Sequence, residues 1–291
     1  MFSPTAKRKI FFTISSVLVI LSIVLLCVKG LNMGIDFKGG NAYQFELGKT
    51  KYSTQIEKTI TDIVKANAKS AKTDDIVIQA VDNKKAVSVK IPLVTDEESE
   101  KIVAELKDAF KVKDVSMDKV SATVSGELIG GSLKAILLAI VLMLIYITIR
   151  FDFQSGTSAV LALAHDVLIM LGVYSLFGCT VNTSFIAAIL TIVGYSINAT
   201  IIVFDRVREN QRLMKKATSD QIADDAIKSS YLRAINSSIT TLLTIGVLYI
   251  LGVDSIKEFA LPIIIGIFAG TYSSLFIAGP FWAWWKGPKA K

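Results

Sequence analysis

Two ionisable residues, His165 and Asp166, stand side by side inside an otherwise uncharged apolar run, 157–179. That run is long enough to cross a bilayer, which takes roughly 20 residues. About nine residues into it, at a rise of about 1.5 Å each, the pair falls near mid-membrane. Ionisable groups are costly there, so each asks for a function or a partner. His165 is the chain's single histidine. Imidazole titrates near neutral pH, which suits a proton relay. A hydrogen-bonded structural pair bridging two helices fits the same residues, and both readings stand.

A second set surrounds Asn198, Ala199 and Thr200 in the run 183–204. Ala187, Thr191, Gly194 and Asn198 recur at spacings of four, three and four. On a helix that is one small or polar stripe, which lets backbones approach and needs a hydrogen-bonding neighbour. The stripe predicts a helix inside a bundle. The run ends in Asp205, Arg206, Arg208 and Glu209, which belong in water. Arg233 opens a later apolar run, where Asn236, Ser237, Thr240, Thr241 and Thr244 form a polar face able to dock on the Asn198 side. Arg233 can snorkel to the membrane surface or pair with Asp205.

These residues need spans to hold them. Of 291 residues, 52% are hydrophobic, with mean hydropathy +0.53, which is a membrane composition. Apolar runs cover 10–28, 133–149, 157–179, 183–204, 234–253 and 259–285. The net charge of +7 reads as basic loops on one membrane side rather than as a nucleic-acid footprint. Lys7, Arg8 and Lys9 precede the first run, Arg150 follows the second, and seven Lys or Arg lie in 205–233. Lys286, Lys289 and Lys291 close the chain, and the opposite connections carry only Lys257. Both termini are therefore expected in the cytoplasm. Run 10–28 exceeds a usual signal core and reads as an uncleaved span. Cys27 and Cys179 suggest neither a disulfide nor a metal site, and no cofactor is expected.

Between the first two spans the composition turns soluble. A strand over 42–47, a helix over 54–68 with a Thr54/Glu57 capping box, and a hairpin turning at 82–85 come first. A helix led by a Thr95/Glu98 box and an extended segment over 115–124 follow. The order βαββαβ is ferredoxin-like. No nucleophile–base pair occurs in it, so binding or mechanical work is expected rather than catalysis. The expected class is a six-span α-helical membrane protein with a small α+β extracytoplasmic domain. The parts are 1–30, the domain 31–127, the spans 128–285 with a cytoplasmic loop 205–233, and a tail 286–291. Within that loop 205–228 reads as a membrane-surface helix, and Phe281, Trp282, Trp284 and Trp285 as an interfacial aromatic belt.

The string GIDFKGG (Gly34, Asp36, Phe37, Gly39, Gly40) after the first span, LALAHD, GYSIN-x-T with FDRVREN, and RAINSS together resemble the SecF family. The resemblance runs nearly end to end. It implies a non-enzymatic partner of SecD in the bacterial cytoplasmic membrane, related to resistance-nodulation-division transporters. Such a pair uses the proton gradient to draw exported, unfolded polypeptide across, beside the SecYEG channel and the SecA motor. In that family an aspartate between the Asn and the Thr serves in proton coupling, partnered by an arginine at the place of Arg233. Here the position is Ala199, so impaired coupling is expected. Two other classes remain open on the residues alone: a half-transporter for a small molecule or lipid, and an assembly scaffold.

Overall fold

Asn41 to Val120 make up most of the smaller of two compact units. The computed structural model describes residues 3–47, 52–68, 76–81 and 85–288. It divides into Met33–Ser132 and, separately, Met1–Asn32 with Leu133–Lys291. In the smaller unit β2 (Gly40–Glu46), α3 (Thr54–Asn67), β3 (Val77–Val81), β4 (Ala86–Ile91), α4 (Asp96–Phe110) and β5 (Ser116–Val120) follow in order. The antiparallel sheet runs β3-β4-β2-β5. Alternation puts Tyr43 and Phe45 of β2 and Val87, Val89 and Ile91 of β4 on one face. Ile56, Ile60 and Val64 of α3 and Ile102 and Leu106 of α4 close over that face.

Local signals decide the ends. Thr95 and Glu98 form the capping box expected of them. Thr54 does not: Ser53 occupies the N-cap without a side-chain bond, and Glu57 instead accepts from Tyr52 Oη at 3.1 Å. The expected extended segment stops at Val120, because helix α5 (Ala122–Arg150) begins two residues later. Of the expected turn over 82–85, residues 82–84 lie outside the described residues, as do Lys289 and Lys291 of the tail.

Upstream, α1 (Arg8–Val28) is followed by the short strand β1 (Asn32–Met33) and the single-turn helix α2 (Ile35–Lys38). Gly39 and Gly40 then take φ of 73° and 146°. A Cβ at Gly40 would collide with the Ile91 carbonyl, so close strand approach requires glycine there.

Among the described residues, six helices are long and apolar enough to cross a bilayer. They are α1, α5, α6 (Phe153–Phe177), α7 (Thr183–Leu213), α8 (Ser219–Leu251) and the composite Ile256–Lys286. Strand β6 (Thr180–Val181) separates α6 from α7. The composite comprises α9 (Asp254–Ser273), a π-helical turn Ser274–Ala278 and α10 (Gly279–Lys286). The stretch 205–228 is not a surface helix of its own. It is the end of α7 and the start of α8, joined through residues 214–218. Nothing breaks α7 before Met214, and a Thr218/Gln221 capping box restarts the chain as helix.

Hydrogen bonds tie each end of this larger unit. At one end Thr5 Oγ1 and backbone N reach Asp224 at 2.7 and 2.9 Å, and Arg8 reaches Asp220 at 2.8 Å. Arg150 meets Asp205 at 3.3 Å, and Lys286 meets Asp152 at 3.0 Å. At the other end Lys29 Nζ donates to the Leu176 carbonyl at 2.6 Å, and Asn32 to that of Gly178 at 3.1 Å. Trp282 departs from the expected aromatic belt. It is fully buried, while Trp284 and Trp285 are exposed.

Candidate functional site

Asp166 is completely buried, and three helices meet on its carboxylate. Oδ2 accepts from Ser196 Oγ of α7 at 2.6 Å and from Ser273 Oγ of α9 at 2.9 Å. Oδ1 faces Nδ1 of His165 at 3.1 Å. A buried carboxylate is strongly disfavoured unless its oxygens are bonded, and here two hydroxyls reach Oδ2 while the imidazole faces Oδ1. Beside it Thr200 Oγ1 pairs with Ser274 Oγ at 2.9 Å, and Ser274 Oγ also reaches the Ser196 carbonyl at 3.4 Å. The carboxylate thus joins the third, fourth and sixth spans.

Glycines allow this approach. A Cβ on Gly270 would lie 3.0 Å from Ser196 and 3.4 Å from Asp166 Oδ2, and one on Gly266 would lie 2.5 Å from Ile192 Cγ1. Gly266 and Gly270 are four apart, the spacing that brings two helices into contact in lipid. The π turn begins at Ser274, within the polar cluster. Such turns often mark functional positions.

His165 is 5% exposed, and its Nε2 has no hydrogen-bond partner. The ring stacks on Tyr272, with centroids 6.0 Å apart. Tyr272 Oη donates to the Phe11 carbonyl at 3.1 Å and accepts from Ser15 at 3.2 Å. The imidazole lines a cleft of about 360 Å³ between α1, α6 and the end of the sixth span.

The other expected site residues separate into two groups. Ala199 and Thr200 are buried on the side of α7 that faces the bundle. Asn198 is exposed, as are Ala187, Thr191 and Gly194. The small and polar stripe therefore lies on the open side of α7, not inside this chain. What fills the interior is the opposite face, Ala188, Ile192, Ser196 and Val203. Arg233, Asn236, Ser237, Thr240 and Thr244 of α8 are exposed too. The threonines bond their own helix backbone, Thr240 and Thr241 to Ser237 O and Thr244 to Thr240 O. The docking that does occur uses Ser238, which meets Thr271 of α9 at 2.6 Å and Tyr195 at 3.5 Å. Asp205 is taken by Arg150 and Glu209 by Arg206, so neither acid serves Arg233.

Gly34, Asp36, Phe37, Gly39 and Gly40 belong to the smaller unit. Gly34 is the N-cap of α2, Asp36 lies in its first turn, and Phe37 is buried. These residues build the turn that launches β2, and nothing there resembles a catalytic centre. Sequence reasoning missed Ser196, Ser273 and Ser274. Ser196 follows Tyr195, and Ser273 and Ser274 follow Thr271 and Tyr272; the available signal was this run of hydroxyls inside a span.

Comparisons with known proteins agree along the chain. Residues 98–288 match the family described as protein export membrane protein SecD/SecF, C-terminal, and residues 24–51 match the SecD/SecF GG motif. The protein translocase subunit SecF of Sebaldella termitidis is 37% identical over 276 residues, covering 94% of this chain and 88% of that one. SecDF of Bacillus subtilis is 33% identical, covering 99% of this chain but 38% of its own length. The crystal structure of SecDF, a translocon-associated membrane protein from Thermus, superposes with a TM-score of 0.88 at 33% identity. It covers 97% of this chain, which spans only 38% of that longer one. A second SecDF structure, in a super-membrane-facing form, gives 0.71 at 32% identity. The chain belongs to the SecD/SecF family of protein-export membrane proteins, as a SecF-type subunit of protein translocase.

Proposed function

We propose that this subunit works with a SecD protein in the bacterial cytoplasmic membrane, using the proton gradient to promote late stages of protein export beside SecYEG and SecA. The observation that carries the reading is the open polar face on α7 and α8. Asn198, Arg233 and Asn236 stand exposed along spans that cross lipid. Polar groups are disfavoured against hydrocarbon, so a second helical subunit must cover them. Relatives named SecDF carry a further length of chain beyond the part that matches this one, which supports a SecD-type partner for that face.

The sidedness follows from charge. Lys7, Arg8, Lys9, Arg150, the basic residues of 205–233 and Lys286 cluster at one end of the spans, and basic residues stay cytoplasmic. The module 31–127 is then a ferredoxin-like extracytoplasmic domain, carried between the helix of 1–30 and the spans of 128–285. The tail 286–291 is cytoplasmic. Arg233 has no acidic partner within the described residues, and Ala199 offers none. The region of Asn198, Ala199, Thr200, Arg233 and Asn236 therefore holds the family's coupling position without its titrating group. Gradient coupling through that position is weak in this chain. The SecDF forms with TM-scores of 0.88 and 0.71 at nearly equal identity support a fold able to hold two arrangements.

Co-expression tests the partnership. The chain and a SecD protein are expected to co-purify in mild detergent, and the pair to restore reporter export to cells depleted of SecF. A monodisperse monomer that ignores SecD would contradict it.

A further inference from the structure

The unpartnered nitrogen of His165 and the cleft it lines define a site that position 199 does not account for. We propose that this cleft admits water to His165 and that the His165–Asp166 pair is a second proton-binding site of the chain, entered at Nε2.

The hydrogen-bond geometry fixes where a proton can sit. Oδ2 of Asp166 already accepts two hydroxyls, from Ser196 and Ser273. A proton that reaches this carboxyl group through the imidazole arrives on Oδ1, which faces Nδ1 at 3.1 Å. Two neutral-imidazole arrangements follow. With Asp166 ionised, Nδ1–H donates to Oδ1 and the Nε2 lone pair is left without a partner. With Asp166 protonated, Oδ1–H donates to Nδ1 and Nε2 carries the ring hydrogen. A proton arriving from water bonds to Nε2, and the Nδ1 proton passes to Oδ1. The net change is one proton taken up, Asp166 going from anion to acid and the ring exchanging tautomers. No other reactant is needed. The bond of the other nitrogen sets each tautomer.

The cleft can hold water beside the imidazole, and a small opening of its wall brings that water to Nε2. It measures about 360 Å³, and Ser15, Ser16 and His165 supply polar atoms among otherwise apolar walls such as Phe12, Leu161 and Phe281. A buried water needs two or more such partners, and a buried polar atom without any is uncommon in a native fold. Of the residues that line the cleft or touch the imidazole, only Asp166 and Tyr272 titrate besides His165 itself. The Tyr272 hydroxyl is engaged with Phe11 and Ser15. Protonation also alters the junction of three spans, because Ser196 and Ser273 then donate to an acid rather than to an anion. Any physiological use of that proton rests on the gradient-coupled reading above, whereas the binding itself does not.

Since the chain has one histidine, nitrogen-15 histidine NMR of the full chain in lipid nanodiscs reads this site alone. The neutral ring is expected to pass from Nδ1-protonated to Nε2-protonated as pH is lowered. Ser16→Leu, at an exposed cleft position, is expected to slow exchange of the ring with water at least tenfold while leaving the fold intact. A single pH-independent tautomer, direct titration to the imidazolium, or exchange unaffected by Ser16→Leu would overturn the proposal. Export restored by a chain whose His165 does not switch tautomer removes this inference and leaves the proposed function standing. A switching His165 in a chain that ignores SecD does the reverse.

Discussion

Single residues settle questions that neighbouring residues leave open. Asp152 caps α6, accepting from Ser155 N at 2.7 Å, and pairs with Lys286. Its partial burial pushes the carboxyl pKa up, but the Ser155 bonds and the Lys286 ammonium outweigh that and hold it below its ordinary 3.8. A depressed folded value means that Asp152 contributes stability above the ordinary carboxylate range. That stability is lost as pH falls through the lower folded value. Thermal melts in detergent should show an acid limb below about pH 4. Asp152→Ala should shrink that limb and cost about 1 kcal/mol at neutral pH; an unchanged limb would assign it to other carboxylates. Gly40→Ala should be harsher, because φ of 146° and the Ile91 carbonyl both exclude a side chain. A loss of about 2 kcal/mol or more is expected, read as faster amide exchange in β2 and β4. Gly39 and Gly40 supply the backbone freedom that a strand entry or a tight turn uses, and Gly40 opens β2. The capping boxes were legible only in part. Thr95 caps as expected, whereas Ser53 stands one place ahead of Thr54 and takes the cap position without bonding.

Elements show which physical signals carry a direction and which do not. Helix count and order were readable because a water-soluble helix seldom stays apolar all round for 18 residues, whereas a span must. The ends were not. Helices α7 and α8 run on into charged sequence, since Asp, Arg and Glu end a span without ending a helix. The stripe Ala187, Thr191, Gly194, Asn198 said that α7 needs a close neighbour, yet periodicity cannot say whether that neighbour lies in the same chain. Here α9 packs instead on the face of Ile192 and Ser196, through Gly266 and Gly270. Gly270→Leu should force α9 off α7, break the Ser196 and Ser273 bonds to Asp166 and destabilise the bundle by about 1–3 kcal/mol. Gly246→Leu, with open space around it, is the control, and the same melts measure both. Equal losses would show that the α7–α9 contact is not the tight one.

For the whole molecule, the spans and their sidedness come before the mechanism. With Cys27 and Cys179 replaced by serine, single cysteines at Lys58 or Lys107 should label from outside intact cells and one at Lys215 should not. The reverse pattern would invert the membrane orientation. The candidate site was legible only in part. His165 and Asp166 stood out as charges in an apolar run, but their partners on α7 and α9 are ordinary serines that gain meaning from the packing. Position 199 was legible only through a resemblance, because an alanine among apolar residues gives no signal of what it lacks. We propose that this SecF-type subunit lacks a titrating group at its fourth-span coupling position, Ala199. The direct measurement is reporter export into vesicles carrying the same SecD, with and without an imposed proton gradient, for this chain and for Ala199→Asp. Gradient-dependent export should rise severalfold with the aspartate, while gradient-independent export stays the same. Equal gradient dependence in the two chains would contradict the claim and assign coupling to other residues.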